Sequence, residues 1–119
     1  MPDDRHAITV FWSRLRPGVE EAYAEHAARV EALARTMPGF VSIDMFSGPD
    51  GWRLAVVEFT SLAACEAWRI HPEHQHAQQL GRDRYYSDYR LQVCELARES
   101  RFPEPGASSE TAETGERAG

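Results

Sequence analysis

Three histidines fall within six positions, His71, His74 and His76, in the stretch W-R-I-H-P-E-H-Q-H-A-Q-Q-L-G-R-D-R-Y-Y-S-D-Y that runs from Trp68 to Tyr89. Imidazole changes charge near neutral pH, so a histidine held beside a weakly acidic substrate can take its proton. His74, with His71 as the alternative, is the candidate base. Arg82 and Tyr85 carry donors that can stabilise the resulting oxyanion. Trp68, Phe11 and Tyr86 can supply aromatic wall for a flat ring, with Ser13 and Gln78 as polar contacts. Together they describe proton abstraction from an aromatic small molecule.

Other chemistries fit less well. His74 and His76 are two apart, so on a helix they point about 200° apart, whereas a metal-ligand pair needs i and i+4. No Cys or carboxylate completes a familiar ligand set, so no metal is expected. His26 lies beside an apolar helical stripe and reads as a helix-edge residue. Cys65 and Cys94 have no histidine nearby in sequence to make a thiolate nucleophile, and they read as reduced, buried thiols. Gly48 and Gly51 belong to a hairpin turn, without the strand-to-helix setting of a dinucleotide loop.

These residues need elements to position them. A-I-T-V-F-W-S-R-L, residues 7–15, is short, β-branched and aromatic, and reads as a strand. Ile8, Val10 and Trp12 share one face of it. After Arg16-Pro17-Gly18, apolar residues from Val19 through Tyr23, Ala27 and Val30 to Met37 recur at helical spacing, predicting a helix over about 19–36. Pro38-Gly39 ends it. Residues 40–47 and 52–59 form two strands joined by a Gly-Pro-Asp-Gly turn. Thr60 or Ser61 caps a short helix over about 62–70. Pro72 opens another that runs to Arg84 or Tyr85. On it His74, Gln78, Arg82 and Tyr85 or Tyr86 lie on one side. Residues 89–97 are the last strand.

The order β-α-β-β-α-β is the ferredoxin-like arrangement, an α+β fold with an antiparallel sheet. Helices on one face of four strands leave the other face bare. A bare apolar sheet predicts pairing with a second copy, hence a homodimer. The 119 residues suit one domain over residues 6–102. The remainder, 103–119, is small, polar and acidic, with four Glu against one Arg, and reads as a disordered tail. A net charge of −6 gives no footprint for nucleic acid. No apolar stretch approaches the ~20 residues that span a membrane. M-P-D-D-R-H has no apolar core of a signal peptide, so a cytoplasmic setting is expected.

The ordered set R-P-G at 16–18, M-P-G-F-V-S at 37–42, Trp52, W-R-I-H-P-E-H with A-Q-Q-L-G-R-D-R-Y-Y, and Q-V-C at 92–94 resembles the antibiotic biosynthesis monooxygenase family. The resemblance covers about residues 6–102. It implies a dimeric α+β barrel with a pocket in each subunit between sheet and helices. Some members of the family oxygenate aromatic polyketide anthrones with O2 and no cofactor. Others bind haem and degrade it, using an Asn on the first strand, a Trp on the second helix and a His on the next. Here those positions fall near Phe11, at Trp68 and near Gln78. The departures at Phe11 and Gln78 argue against haem cleavage and leave haem ligation by a shifted His74 or His76 as the alternative. The expected function is thus cofactor-independent oxygenation, with a non-catalytic small-molecule or haem-binding dimer as the runner-up.

Overall fold

A computed structural model describes residues 5–104. The elements are β1 (Ala7–Leu15), α1 (Glu20–Ala34), β2 (Phe40–Ser47), β3 (Arg53–Phe59), α2 (Leu62–Arg69), α3 (Pro72–Leu80) and β4 (Tyr86–Glu95). A short turn of 3-10 helix, Pro49–Gly51, joins β2 to β3, and a π-helical turn, Gly81–Tyr85, joins α3 to β4. The sheet order is β2-β3-β1-β4, and every neighbouring pair is antiparallel. This is the ferredoxin-like α+β fold expected from the element order.

Local chemistry explains most boundaries. Glu20 and Glu21 occupy the first turn of α1, where the helix dipole favours negative charge. Gly39 follows α1 with φ +85°, and a Cβ there would stand 2.6 Å from the Cβ of Ala64, so only glycine fits. Its carbonyl accepts from the Thr60 N–H at 2.8 Å, tying the start of β2 to the end of β3. Ser61 caps α2 by accepting from the Ala64 N–H at 3.0 Å. Pro72 opens α3, and the Nδ1 of His71 accepts from the Glu73 N–H at 3.1 Å.

One boundary differs from expectation. The regular helix α3 ends at Leu80, and β4 begins at Tyr86 rather than Tyr89. The cause is the facing strand. Leu15 of β1 pairs with Tyr86 across an irregularity at Arg14/Leu15. The Arg16 N–H donates to the Tyr85 carbonyl at 2.8 Å. The Arg16 guanidinium donates to the carbonyls of Tyr86, Asp83 and Arg82 at 3.0, 2.7 and 2.8 Å. One arginine from the end of β1 thereby satisfies the carbonyls that the broken helix leaves open.

The core lies between sheet and helices. Ala7, Phe59, Ala34, Cys65 and Trp68 form its buried centre, with Val30, Leu33, Met37 and Phe40 packed around them. Phe59 is fully buried and meets Phe40 edge to face. The opposite sheet face carries no helix. Across it run Ile8, Val10 and Trp12 of β1, paired with Glu58, Val56 and Leu54 of β3. Arg90 lies over Trp12 at 5.0 Å and Arg14 over Trp52 at 4.4 Å, so the apolar strip ends in a cation–aromatic patch. Cys94 is exposed, whereas the sequence suggested burial; it sits on edge strand β4 opposite Ile8, on this uncovered face. Cys65 is buried, with its sulfur 3.5 Å from the Thr9 hydroxyl. Among the described residues no helix is long and apolar enough to cross a membrane. The acidic tail expected over 103–119 lies almost wholly outside the described residues.

Candidate active site

Between the sheet and the three helices lies a cavity of about 400 Å³. That is within the range of small-molecule sites. Its floor is the helix-side face of the sheet: Thr9 and Phe11 of β1, Ile43 and Met45 of β2, Ala55 and Val57 of β3, and Tyr89, Leu91 and Val93 of β4. Strand alternation puts these on one face, because residues i and i+2 point the same way. Tyr23, His26, Ala27 and Val30 of α1 form one wall, and Cys65 and Trp68 of α2 with His74, Ala77 and Gln78 of α3 form the other. Arg82 and Tyr86 close the end beside the π-helical turn. The lining is apolar with a few convergent polar groups.

The geometry around His74 assigns its protons. Its ring stacks on Trp68, with centroids 3.9 Å apart and planes at 13°. Its Nδ1 lies 3.0 Å from the Trp68 carbonyl oxygen. A carbonyl only accepts, so Nδ1 carries the proton and Nε2 keeps its lone pair. The Gln78 amide nitrogen lies 3.5 Å from the same Nδ1, and as a donor facing an N–H it makes no hydrogen bond in this tautomer. Burial holds the imidazole below its ordinary pKa of 6.5; the Trp68 carbonyl works against that shift and the neighbouring His71 adds to it. His74 is therefore neutral at pH 7, with Nε2 as its basic nitrogen.

A second polar group sits across the cavity. The hydroxyls of Tyr23 and Tyr86 meet at 3.1 Å, joining α1 to the first residue of β4. The Tyr86 ring reaches this place over Gly81, where a Cβ would stand 2.5 Å from ring atom Cε2. Phe11 meets Tyr86 edge to face at 5.4 Å. Burial drives the Tyr86 hydroxyl far above its ordinary pKa, Tyr23 adds to this, and Arg53 pulls the other way. The Tyr86 phenol is thus neutral. His26 is buried on α1, its ring 5.0 Å from that of Tyr85 and 6.2 Å from that of Tyr23. Burial lowers its pKa, and Arg29 and His76 lower it further.

The structure brings His74, Trp68, Gln78, Arg82, Phe11 and Tyr86 together in the cavity wall. It places three other candidates elsewhere. His71 is committed to capping α3. Ser13 is buried within the sheet between Arg53 and Tyr89. Tyr85 packs behind the wall against Tyr23 and His26, because the π-helical turn rotates it away and brings Tyr86 inward. Arg82 is exposed and donates to Gln79 at 3.0 Å. Tyr23 and Tyr89 line the cavity although the sequence did not single them out, and His26, read there as a helix-edge residue, lines it as well. Tyr23 hid inside the apolar stripe of α1, where an aromatic ring signals core and its hydroxyl goes unread. Among the described residues no group of three or more His, Cys, Asp and Glu is placed to hold a metal.

A ferredoxin-like sheet with an apolar cavity, a stacked histidine and a tyrosine pair between it and the helices defines the class as an α+β protein with an internal cavity. Solved structures share the fold. Rv0793 from Mycobacterium tuberculosis aligns with a TM-score of 0.71 at 15% identity, over 81% of this chain and 99% of that one. SnoaB from Streptomyces nogalater, a cofactor-independent oxygenase, aligns with a TM-score of 0.69 at 17% identity, over 84% and 99%. The protein YqjZ of Bacillus subtilis is 33% identical over 95 residues, which are 80% of this chain and 83% of that protein. The antibiotic biosynthesis monooxygenase family profile matches residues 7–80. This chain belongs to that family.

Proposed function

We propose that the protein is a cofactor-independent monooxygenase of a flat, phenolic or anthrone-like small molecule, with His74 as the base. The observation that carries this reading is the His74 ring, stacked on Trp68 with Nδ1 held by a carbonyl, so that a neutral Nε2 is available in an apolar cavity. Family membership supports it, as does a fold shared with a cofactor-independent oxygenase.

In the proposed reaction His74 removes a proton from an activated ring CH2. The carbanion, delocalised into the ring oxygen as an enolate, passes electrons to O2 and combines with it to form a C–O bond. Loss of the second ring proton with cleavage of the O–O bond leaves a carbonyl and water. The net change is CH2 plus O2 to C=O plus H2O, so the substrate supplies every electron. Trp68 and Phe11 flank the ring, and the nearby donors Arg82 and Tyr86 favour the anion. Gln78 contributes to the same polar edge. A homodimer through the uncovered sheet face and a cytoplasmic setting complete the proposal.

Oxygen uptake with an anthrone or dihydroquinone tests it. Native protein should accelerate uptake, and His74→Ala should lower the rate by about 10²-fold or more, the usual contribution of a positioned base. Equal rates for the two would remove His74 from the role. A haemin titration tests the binding alternative: a Soret shift without oxygen uptake would favour a haem-binding protein.

A further inference from the structure

The tyrosine pair has chemistry left over. Tyr23 is buried and Tyr86 half-buried, and both line the cavity. Two hydroxyls carry two protons, and one proton suffices for the bond between them at 3.1 Å. Among the described residues neither hydroxyl has another hydrogen-bond partner. One O–H is therefore left to donate, and its donor strength is raised by the hydroxyl behind it, since linked hydrogen bonds polarise one another. Leaving such a group unmet in an apolar wall is costly, and a ligand oxygen would meet it.

The surroundings favour that use. Arg53 lies over the Tyr23 ring, its guanidinium carbon 5.3 Å from the centroid, and its buried Nε has no hydrogen-bond partner among the described residues. Its positive charge favours negative charge on the tyrosine side of the cavity. Tyr85 and His26 pack against Tyr23, and Tyr89 flanks Tyr86 at 5.7 Å, so neighbouring rings hold the pair in place. Gly81 supplies the space that lets Tyr86 reach this position. The fold thus spends a π-helical turn and a glycine on placing one phenol against another, and such turns recur at functional sites.

We propose that the Tyr23–Tyr86 pair is the oxygen-recognition element of the cavity, selecting aromatic ligands that carry a hydroxyl or oxo group over the same ring without one. The inference rests on the cavity being a site for aromatic small molecules, as the oxygenase reading requires. It adds which ring is taken and which two residues decide. A pocket that hydrogen-bonds a ligand hydroxyl discriminates strongly against the analogue lacking it, because its own buried donor is then left unpaired.

Equilibrium binding of naphthol and of naphthalene to the full chain tests the proposal, in native protein and in Tyr23→Phe, Tyr86→Phe and the double variant. Phenylalanine keeps the ring packing, and thermal unfolding followed by near-ultraviolet circular dichroism checks that the fold is retained. Native protein should prefer naphthol by roughly tenfold or more, the worth of one buried hydrogen bond. Each single variant should reduce that preference and the double variant should abolish it, with naphthalene affinity unchanged within about twofold. Equal binding of both probes by native protein, or a preference that survives in the double variant, overturns oxygen recognition and leaves the aromatic site standing. Binding of neither probe by native protein overturns the aromatic site and the tyrosine pair's role together.

Discussion

At the scale of single residues, the histidines make the fold sensitive to acid. Burial lowers the pKa of both His74 and His26 in the folded state from an ordinary 6.5. The unfolded chain then binds protons at pH values where the folded chain does not. Stability should be unaffected by these groups above about 6.5, and should fall as pH drops from there toward the lowered folded values. His74→Gln should flatten that slope, as measured by thermal unfolding between pH 7 and 5. An unchanged slope would mean that burial of His74 has no bearing on acid stability. His74, the proposed base, keeps its lone pair over the same range, so the acid limb of any rate profile should lie below the ordinary histidine value. Gly81 gives a second prediction. Its backbone is helical, φ −58°, so Gly→Ala there would ordinarily stabilise. The Cβ would instead stand 2.5 Å from the Tyr86 ring, and Gly81→Ala should destabilise by about 1–3 kcal/mol in chemical denaturation.

At the scale of elements, the junction from α3 to β4 decides what the cavity contains. A regular helix continued through Tyr85 would hold 85 and 86 on helical faces about 100° apart and leave the choice between them open. The π-helical turn and the pull of β1 settle it in favour of Tyr86. Arg16 is the brace, with its side chain donating to three carbonyls of the junction. Arg16→Ala should cost about 1–2 kcal/mol, reduced from the sum of three bonds because two of them are exposed to water. Arg16→Lys should recover little, since an ammonium cannot reproduce the planar fork. Native-state hydrogen exchange should show faster exchange at residues 81–86 in both variants, while the β2–β3 amides stay protected. Uniform acceleration across the sheet would point to global loss of stability rather than a released junction.

At the scale of the whole molecule, the sheet face without helices carries Ile8, Val10, Trp12, Leu54 and Val56. An apolar strip of this kind calls for a cover, and the proposed cover is the same face of a second copy. Sedimentation at micromolar concentration should give twice the 13.5 kDa chain mass, and Val10→Asp with Val56→Asp should shift it toward the monomer. A native mass of one chain would remove the homodimer from the proposal. Because the cavity lies on the opposite side of the sheet, naphthol binding gives an independent check that such a monomer is still folded.

The sequence by itself determined the element order, and with it the α+β fold. Strand alternation and helical spacing are local properties, read at i+2 and at i+3 and i+4, so β1 and β2 emerge at their observed bounds. The stripe through His74, Gln78 and Arg82 was legible for the same reason. What the sequence left open depended on contacts between distant residues. Tyr23 and Tyr86 are 63 positions apart, and only packing of α1 against the start of β4 brings their hydroxyls together. The carbonyl that sets the tautomer of His74 belongs to Trp68, across the break between two helices. His71 stood as the alternative to His74 in the sequence, and in the fold it is taken up as the cap of α3. Residue types announce which chemistry is available, but hydrogen-bond partners and burial decide which copy of a residue performs it, and both are properties of the folded chain.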